Sequence, residues 1–398
     1  MFASRTNWPL EPNRFTRALE SHRRSGRPLI DLTASNPTAC GFDYPSSEIF
    51  AALGDPRVLQ YSPESKGIRS AREAIAAYYA GRPGFGVCSG KVDPEQIILT
   101  AGTSEAYGYI FRLLCEPGDE ILFPAPSYPL LEYLAGLNDV RLAPYSLFYD
   151  HGWHVDLGSL RAALTARSRA VLVVHPNNPT GSFVKPAEAL ALREICAERE
   201  MAIIADEVFL DFAAESKPHA SFAFHDEVLT FALSGLSKIS ALPQMKLAWL
   251  IANGPENFLR LALDRLEIIA DTYLSPGTPV QLALPKLLEL RHAMQRQIHA
   301  RVSANLAHLD AALARHKWIV RLDREGGWYA VLRVPATQPD EELAVALLDE
   351  RGVLVHPGHF FDFPQDGFLV VSLIAPELDF REGISRLVGF IAARAVTY

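Results

Sequence analysis

The residue in this chain best placed to bond covalently to a carbonyl compound is Lys238, in the segment SGLSK (234–238) directly behind the apolar run LTFAL. A lysine set among small residues at the end of a buried strand is desolvated, which favours its neutral, nucleophilic amine. Standing alone, a lysine is usually a solvated surface charge. Asp206 ends the run AIIA. A carboxylate there must reach solvent, cap a helix, or meet a cation such as a protonated ring nitrogen. Asn177 and Asn178 lie in HPNNPTG (175–181), where prolines fix the backbone and one amide can donate to a phenolate-like oxygen. The same composition also makes a plain turn. Gly102, Thr103 and Ser104 stand between a strand-like run and a helical one. Backbone amides at a helix start, with two hydroxyls, form either a phosphate cup or an ordinary N-cap.

The elements that must position these residues are legible from hydrophobic pattern. From about residue 48 to 275 the apolar runs IILT, EILFPA, VRLAPYSL, AVLVVHP, AIIADEVF and LTFALSG alternate with stretches of helical period. Such alternation predicts an α/β fold, a mostly parallel sheet covered by helices on both faces, with ligands beyond the carboxyl ends of the strands. Gly102, Asn178, Asp206 and Lys238 each fall just past one of those runs. After about residue 275 the pattern changes to a long charged helix, KLLELRHAMQRQIHARVSANLAHLDAALARH. The strand-like segments GGWYAVLRV, GVLVHPGHFF and FLVVSL follow, which predicts a smaller α+β C-terminal domain. The expected division is an N-terminal segment (1–47) associated with the small domain and the active site, a large cofactor-binding domain (48–275) and a small domain (276–398).

Composition narrows the function. A chain of 398 residues with 49% hydrophobic content buries a large core. Its net charge of −8 comes from 38 basic and 46 acidic residues spread along the sequence, so no basic block is available for nucleic acid. Neither a signal peptide nor a membrane span is expected, and the four separated cysteines read as reduced thiols of a cytoplasmic protein. His356 and His359 have no third ligand nearby in sequence, so no metal site is expected.

Read in order, Gly102-Thr103-Ser104, Pro126-Ser-Tyr128-Pro129, Asn177-Asn178-Pro-Thr-Gly181, Asp206-Glu-Val-Phe209 and Ser234-Gly-Leu-Ser237-Lys238 closely resemble the class I/II aminotransferases, fold-type I enzymes that use pyridoxal 5'-phosphate. The likeness covers nearly the whole chain. It extends to Ser35-Asn36-Pro37, Tyr61, Gly67-Ile-Arg69, Gly326-Gly-Trp-Tyr329 and Pro357-Gly-His359. The resemblance implies that Lys238 carries the cofactor covalently and then shuttles a proton. Asp206 would pair with the ring nitrogen, Asn178 would bond the ring oxygen, and Tyr128 would stack on the ring. Gly102, Thr103 and Ser104 would hold the phosphate, helped by Ser234 or Ser237. Tyr61 would reach the phosphate of a neighbouring subunit, which requires a homodimer with shared active sites. Ser35, Asn36, His359 and the position of Val370 would meet the substrate.

Four positions depart from the family pattern. Lys246 stands where relatives usually carry an arginine on the phosphate, keeping the charge and losing the fork. Gly235 replaces a common serine or threonine. Phe209 replaces a tyrosine that helps hold the ring oxygen, so the cofactor–lysine linkage is expected to titrate at higher pH than in tyrosine-bearing relatives. Val370 occupies the place of the arginine that clamps the substrate carboxylate, and Arg69, His356, His359 and Arg381 are the candidate replacements. The expected function is a ping-pong aminotransferase taking nitrogen from an amino acid or amine donor and passing it to a keto acceptor. The alternative is a lyase (C–S β-elimination), decarboxylase or cyclising enzyme on the same cofactor.

Overall fold

The computed structural model describes residues 1–85, 90–214 and 219–395. In chain order its strands are β1 (Ile30–Asp31), β2 (Ile97–Thr100), β3 (Glu120–Ala125), β4 (Arg141–Tyr149), β5 (Trp153–Val155), β6 (Ser168–Val174) and β7 (Ala202–Asp206), then β8 (Thr230–Gly235), β9 (Ala248–Asn253), β10 (Val320–Arg321), β11 (Tyr329–Arg333), β12 (Val353–Leu354), β13 (His356–Pro357) and β14 (Phe368–Ser372). Eight of them form one sheet in the order β2-β9-β8-β7-β6-β3-β4-β5. The neighbours β8, β7, β6, β3 and β4 pair in parallel, while β9 runs antiparallel to β2 and β8, and β5 to β4.

Burial explains the composition of the strands. Ala202–Ala205 and Phe231–Leu233 are almost completely enclosed, because helices cover both faces and leave no polar side for alternation. Two apolar clusters occupy those faces. One gathers Ile97, Leu99, Ala232 and Trp249 against the helices Arg69–Tyr79 and Thr278–Leu313. The other gathers Ile98, Leu172, Ile204, Phe231 and Leu250 against the helices Thr103–Leu114 and Glu256–Tyr273.

The predicted charged helix runs over Thr278–Leu313, starting earlier than its charged stretch because Thr278, Pro279 and Val280 continue the helix toward its N-terminus. Beyond it, β10-β11-β14-β13 form a second, antiparallel sheet. The segment GVLVHPGHFF divides into β12, β13 and a short 3-10 turn (Gly358–Phe361). The N-terminal segment joins this region: β1 pairs in parallel with β12, and the Ser372 amide donates to the Leu32 carbonyl.

Candidate active site

Three adjacent parallel strands set the site. Asp206 is the last residue of β7, Lys238 follows β8 within the short helix Leu236–Ile239, and Asn178 lies in the loop after β6. Neighbouring strands are about 4.8 Å apart, so their carboxyl ends bring the three residues to one edge. All three line a cavity of about 240 Å³, together with Ser35, Thr103, Ser104, Tyr107, Tyr128, Phe209, Ser237 and Tyr329.

Asp206 is buried, and burial pushes its carboxyl above the usual range. Two donors oppose that: the Val208 amide gives a hydrogen bond of 3.1 Å to Oδ1, and the Tyr107 hydroxyl one of 2.8 Å to Oδ2. Lys238 is nearly enclosed. Desolvation pushes its ammonium down to about 8, against the opposing pull of Asp206. Its Nζ lies 5.0 Å from the Trp328 ring centre and 5.4 Å from that of Phe209, so its immediate walls are aromatic.

The two asparagines divide their labour. Asn177 is a fastener: its Nδ2 donates to the Pro126 carbonyl and to Thr180 Oγ1, tying its loop to the segment that carries Tyr128. His175 fixes the other side of that loop, interacting through Nε2 with the Ala220 carbonyl and accepting at Nδ1 from the Val184 amide. Burial holds it down to about 3, so it is neutral. Gly181 closes the loop with φ +72°, and a Cβ there would lie 2.4 Å from the Gly326 carbonyl, so only glycine fits. Asn178 is left facing the cavity, its Oδ1 buried without a partner.

The helix Thr103–Leu114 begins at the cavity as well, placing its positive end and two hydroxyls at the wall. Lys246 joins them: its Nζ would be 3.9 Å from a Cβ built on Gly102. Lys246 holds a left-handed backbone, φ +50°, a conformation that non-glycine residues adopt mainly where surroundings impose it. Gly235 has a local reason as well. It pairs with Ala248, and a Cβ on it would sit 2.9 Å from the Ala248 Cα, so a serine has no room there.

Pyridoxal phosphate, implied by the sequence resemblance, meets a fitting group at each of its functional ends. There is a desolvated amine, a carboxylate held by two donors, an asparagine side chain at the wall, and an anion cup of helix end, hydroxyls and ammonium. Several expected residues lie elsewhere. Ser234 is buried inside the sheet with its hydroxyl unpartnered, since strand alternation turns it away from the wall that Gly235 reaches. The Asn36 carboxamide caps a 3-10 turn by accepting from the Thr38 amide. Tyr61 and His359 are exposed, and Val370 is wholly enclosed in the second sheet. Two wall residues, Tyr107 and Tyr329, and Trp328 beside Lys238 had no assigned role from sequence. For Tyr107 a signal exists, because it stands one helical turn beyond Thr103 and shares its face.

The comparisons with known proteins agree with this geometry. The family model for aminotransferase class I and II matches residues 27–379. The glutamate-pyruvate aminotransferase AlaA of Escherichia coli K12 is 30% identical over 264 residues, spanning 66% of this chain and 64% of that protein. The alanine aminotransferase of Mycobacterium tuberculosis H37Rv is 26% identical over 379 residues, 92% of this chain and 86% of that one. Among solved structures, the alanine aminotransferase from Pyrococcus furiosus matches with a TM-score of 0.87 at 23% identity, over 99% of this chain and 100% of that chain. That likeness establishes the fold. The family match, extending across both sheets and every wall of the cavity, establishes more: this chain belongs to the class I and II aminotransferases.

Proposed function

We propose that the chain is a pyridoxal phosphate-dependent aminotransferase that moves an amino group from a donor to a carbonyl acceptor in two half-reactions. The observation that carries this reading is the convergence of Lys238, Asp206 and Asn178 on one cavity whose wall also holds Thr103, Ser104 and Ser237. When bound, the cofactor supplies an electron sink for the carbanion left as a proton departs from the substrate carbon. The chain's own residues do the rest. With an ammonium shifted to about 8, Lys238 Nζ can be neutral near physiological pH, and thus can serve as attachment point and as the base that takes and returns the proton. Asp206, whose ionised form Tyr107 and Val208 favour against the opposing effect of burial, would fix a positive charge on the ring nitrogen. Asn178 holds the ring oxygen, Tyr128 covers a ring face, and Phe209 closes the cavity beside Lys238 against water. Gly102, Thr103, Ser104, Ser237 and Lys246 hold the phosphate.

The same reading gives Tyr61 to a partner's site. Its ring is 82% exposed, and Leu59, Phe258, Leu261 and Ile268 are exposed as well, which suits a homodimer surface. The division into 1–47, 48–275 and 276–398 and a cytoplasmic location complete the proposal. The location is supported by the free thiols Cys40, Cys115 and Cys196, while Cys88 lies outside the described residues. Among the described residues no helix is long and apolar enough to cross a membrane. Borohydride reduction of the cofactor-loaded protein followed by peptide mapping tests the assignment. A stable label on the Lys238 peptide, absent in Lys238→Ala, is expected; a label on another lysine overturns it.

A further inference from the structure

Lys238 belongs to a helical turn of four residues, Leu236–Ile239, too short to hold its own shape, so its position is imposed from outside. At its start the Leu236 amide donates to the Leu247 carbonyl at 3.0 Å. Its end is tied to the long helix Thr278–Leu313. Ser240 Oγ donates to the Leu287 carbonyl at 3.2 Å, and Gln295 Nε2 donates to the carbonyl of Ile239, the residue after Lys238, at 2.9 Å. The same nitrogen donates to Asp211 Oδ2 at 2.7 Å. Both partners are acceptors, so the amide can face them only with its NH2 group. Asp211 lies two residues past Phe209, whose ring centre is 5.4 Å from Lys238 Nζ. One amide thus fastens the turn that carries Lys238 to the segment that carries its aromatic wall. Asp211 is a firm anchor for that bond, because its Oδ1 accepts from the Tyr78 hydroxyl at 3.0 Å and pairs with the Arg82 guanidinium.

Resting on the aminotransferase reading, we propose that Gln295 is a positioning residue for Lys238: by holding the Ile239 carbonyl and Asp211 together, it keeps the lysine amine directed into the cavity. Gln295 does not line that cavity. It lines a separate cleft behind it, with Arg82, Asp211 and Arg291, so its effect passes through the backbone of the Lys238 turn. The step it serves is a condensation. The amine nitrogen bonds the cofactor's aldehyde carbon, and the aldehyde oxygen leaves as water with the two hydrogens of the amine, with no change of oxidation state.

Pyridoxal 5'-phosphate added to the cofactor-free protein separates binding from bond formation. The concentration dependence of the absorbance change gives the affinity of the first, non-covalent complex and the maximal rate at which the linkage to Lys238 forms. Gln295→Met keeps the length and helix preference of the side chain and removes both donated bonds; Gln295→Ala repeats the test with a smaller side chain. The maximal rate is expected to fall roughly tenfold, within the hundredfold that about 1 Å of misplacement can cost, while the affinity of the non-covalent complex holds. The rate's pH dependence should move to higher pH. A loosened turn admits water to an amine that burial pulls down to about 8 against the pull of Asp206, while Asp206, Tyr107, Tyr128 and Tyr329, the other titratable groups on the cavity wall, stay in place. Arg82→Met breaks the ion pair to the same Asp211 and leaves both bonds of Gln295, so it should lower the unfolding temperature and leave the rate within about twofold. The inference is overturned by Gln295 variants that form the linkage at the parent's rate or with the parent's pH dependence. It is equally overturned if their non-covalent affinity falls as far as the rate, or if Arg82→Met is slowed as much. A parent protein that forms no linkage, or a borohydride label away from Lys238, instead removes the aminotransferase reading and this inference with it.

Discussion

Replacing Tyr107 by phenylalanine isolates the one side chain among the described residues that donates to Asp206, at 2.8 Å and in burial. The ring stays, and with it the contact to Phe111 at 6.0 Å between centroids, so packing is preserved while a single hydroxyl is removed. A hydrogen bond to a charged group is worth about 1.5–3 kcal/mol, and one pKa unit corresponds to 1.36 kcal/mol. Its loss should therefore raise the Asp206 pKa beyond the elevation that burial already causes. On the proposed pairing of Asp206 with the cofactor's ring nitrogen, binding calls for the ionised carboxylate, so the variant would have to deprotonate Asp206 on binding wherever the pH lies below the new value. Fluorescence titration of cofactor-free protein should thus show an affinity loss of roughly tenfold or more at the acid end of the stable range. The loss should shrink steadily as pH rises and the carboxylate ionises unaided. An affinity ratio that is constant with pH would mean that the hydroxyl contributes packing or shape. A ratio near one at every pH would refute the claim that Tyr107 holds the charge on Asp206.

Two further outcomes follow from buried groups near the site. Burial pushes the Glu207 carboxyl up to about 7 from an ordinary 4.5. Between those values the unfolded chain releases this proton while the folded chain keeps it, so the group's contribution to stability falls as pH rises, by about 3 kcal/mol in all. Denaturant unfolding at several pH values should show Glu207→Gln gaining on the parent by about that amount across the interval, and a flat difference would refute it. Phe209→Tyr adds a hydroxyl to the cavity wall beside Lys238. The pH at which the bound cofactor's visible absorbance changes should drop by about one unit, on the scale of one added hydrogen bond to the ionised oxygen. An unchanged or higher midpoint would show that the hydroxyl does not reach that oxygen.

The sequence made most of this site legible because its chemistry lies at strand ends. Hydrophobic runs of four to seven residues mark parallel strands, and the polar residue that follows each one must lie at the sheet's carboxyl edge, as Asp206 and Lys238 do. What escaped depends on side-chain direction and on helix faces. Ser234 and Gly235 are neighbours in sequence, yet the two-residue period of the strand sends only one to the cavity. Tyr107 is hidden in a run that reads as an ordinary amphipathic helix, and its meaning depends on Asp206, 99 residues away. Tyr329 opens strand β11 of the second sheet and Trp328 directly precedes it, across a packing interface that no local pattern encodes. Two of the candidate replacements for a carboxylate clamp, Arg69 and Arg381, pair with surface glutamates for a related reason. Arginine and histidine positions are easy to see in a sequence, but whether Arg69 or Arg381 faces a cavity or a surface glutamate is decided by tertiary contacts.

The relation between Asp206 and Lys238 shows why this arrangement is more than two buried charges. Each feels the other, since the carboxylate pulls the lysine pKa upward and the ammonium pulls the carboxyl downward. Yet among the described residues they form no ion pair. Collapse into a direct pair would satisfy both and leave neither available for chemistry. The fold prevents it by giving each its own anchor: Asp206 is turned toward Tyr107 and the Val208 amide, and Lys238 lies against the rings of Trp328 and Phe209. The two charges are held by adjacent strands with an interval between them, which a flat ring carrying a cation at one end and an aldehyde near the other would bridge. In that sense the energetic cost of burying both groups is what prepares the cavity for its cofactor, because binding offers each of them the partner that the protein withholds.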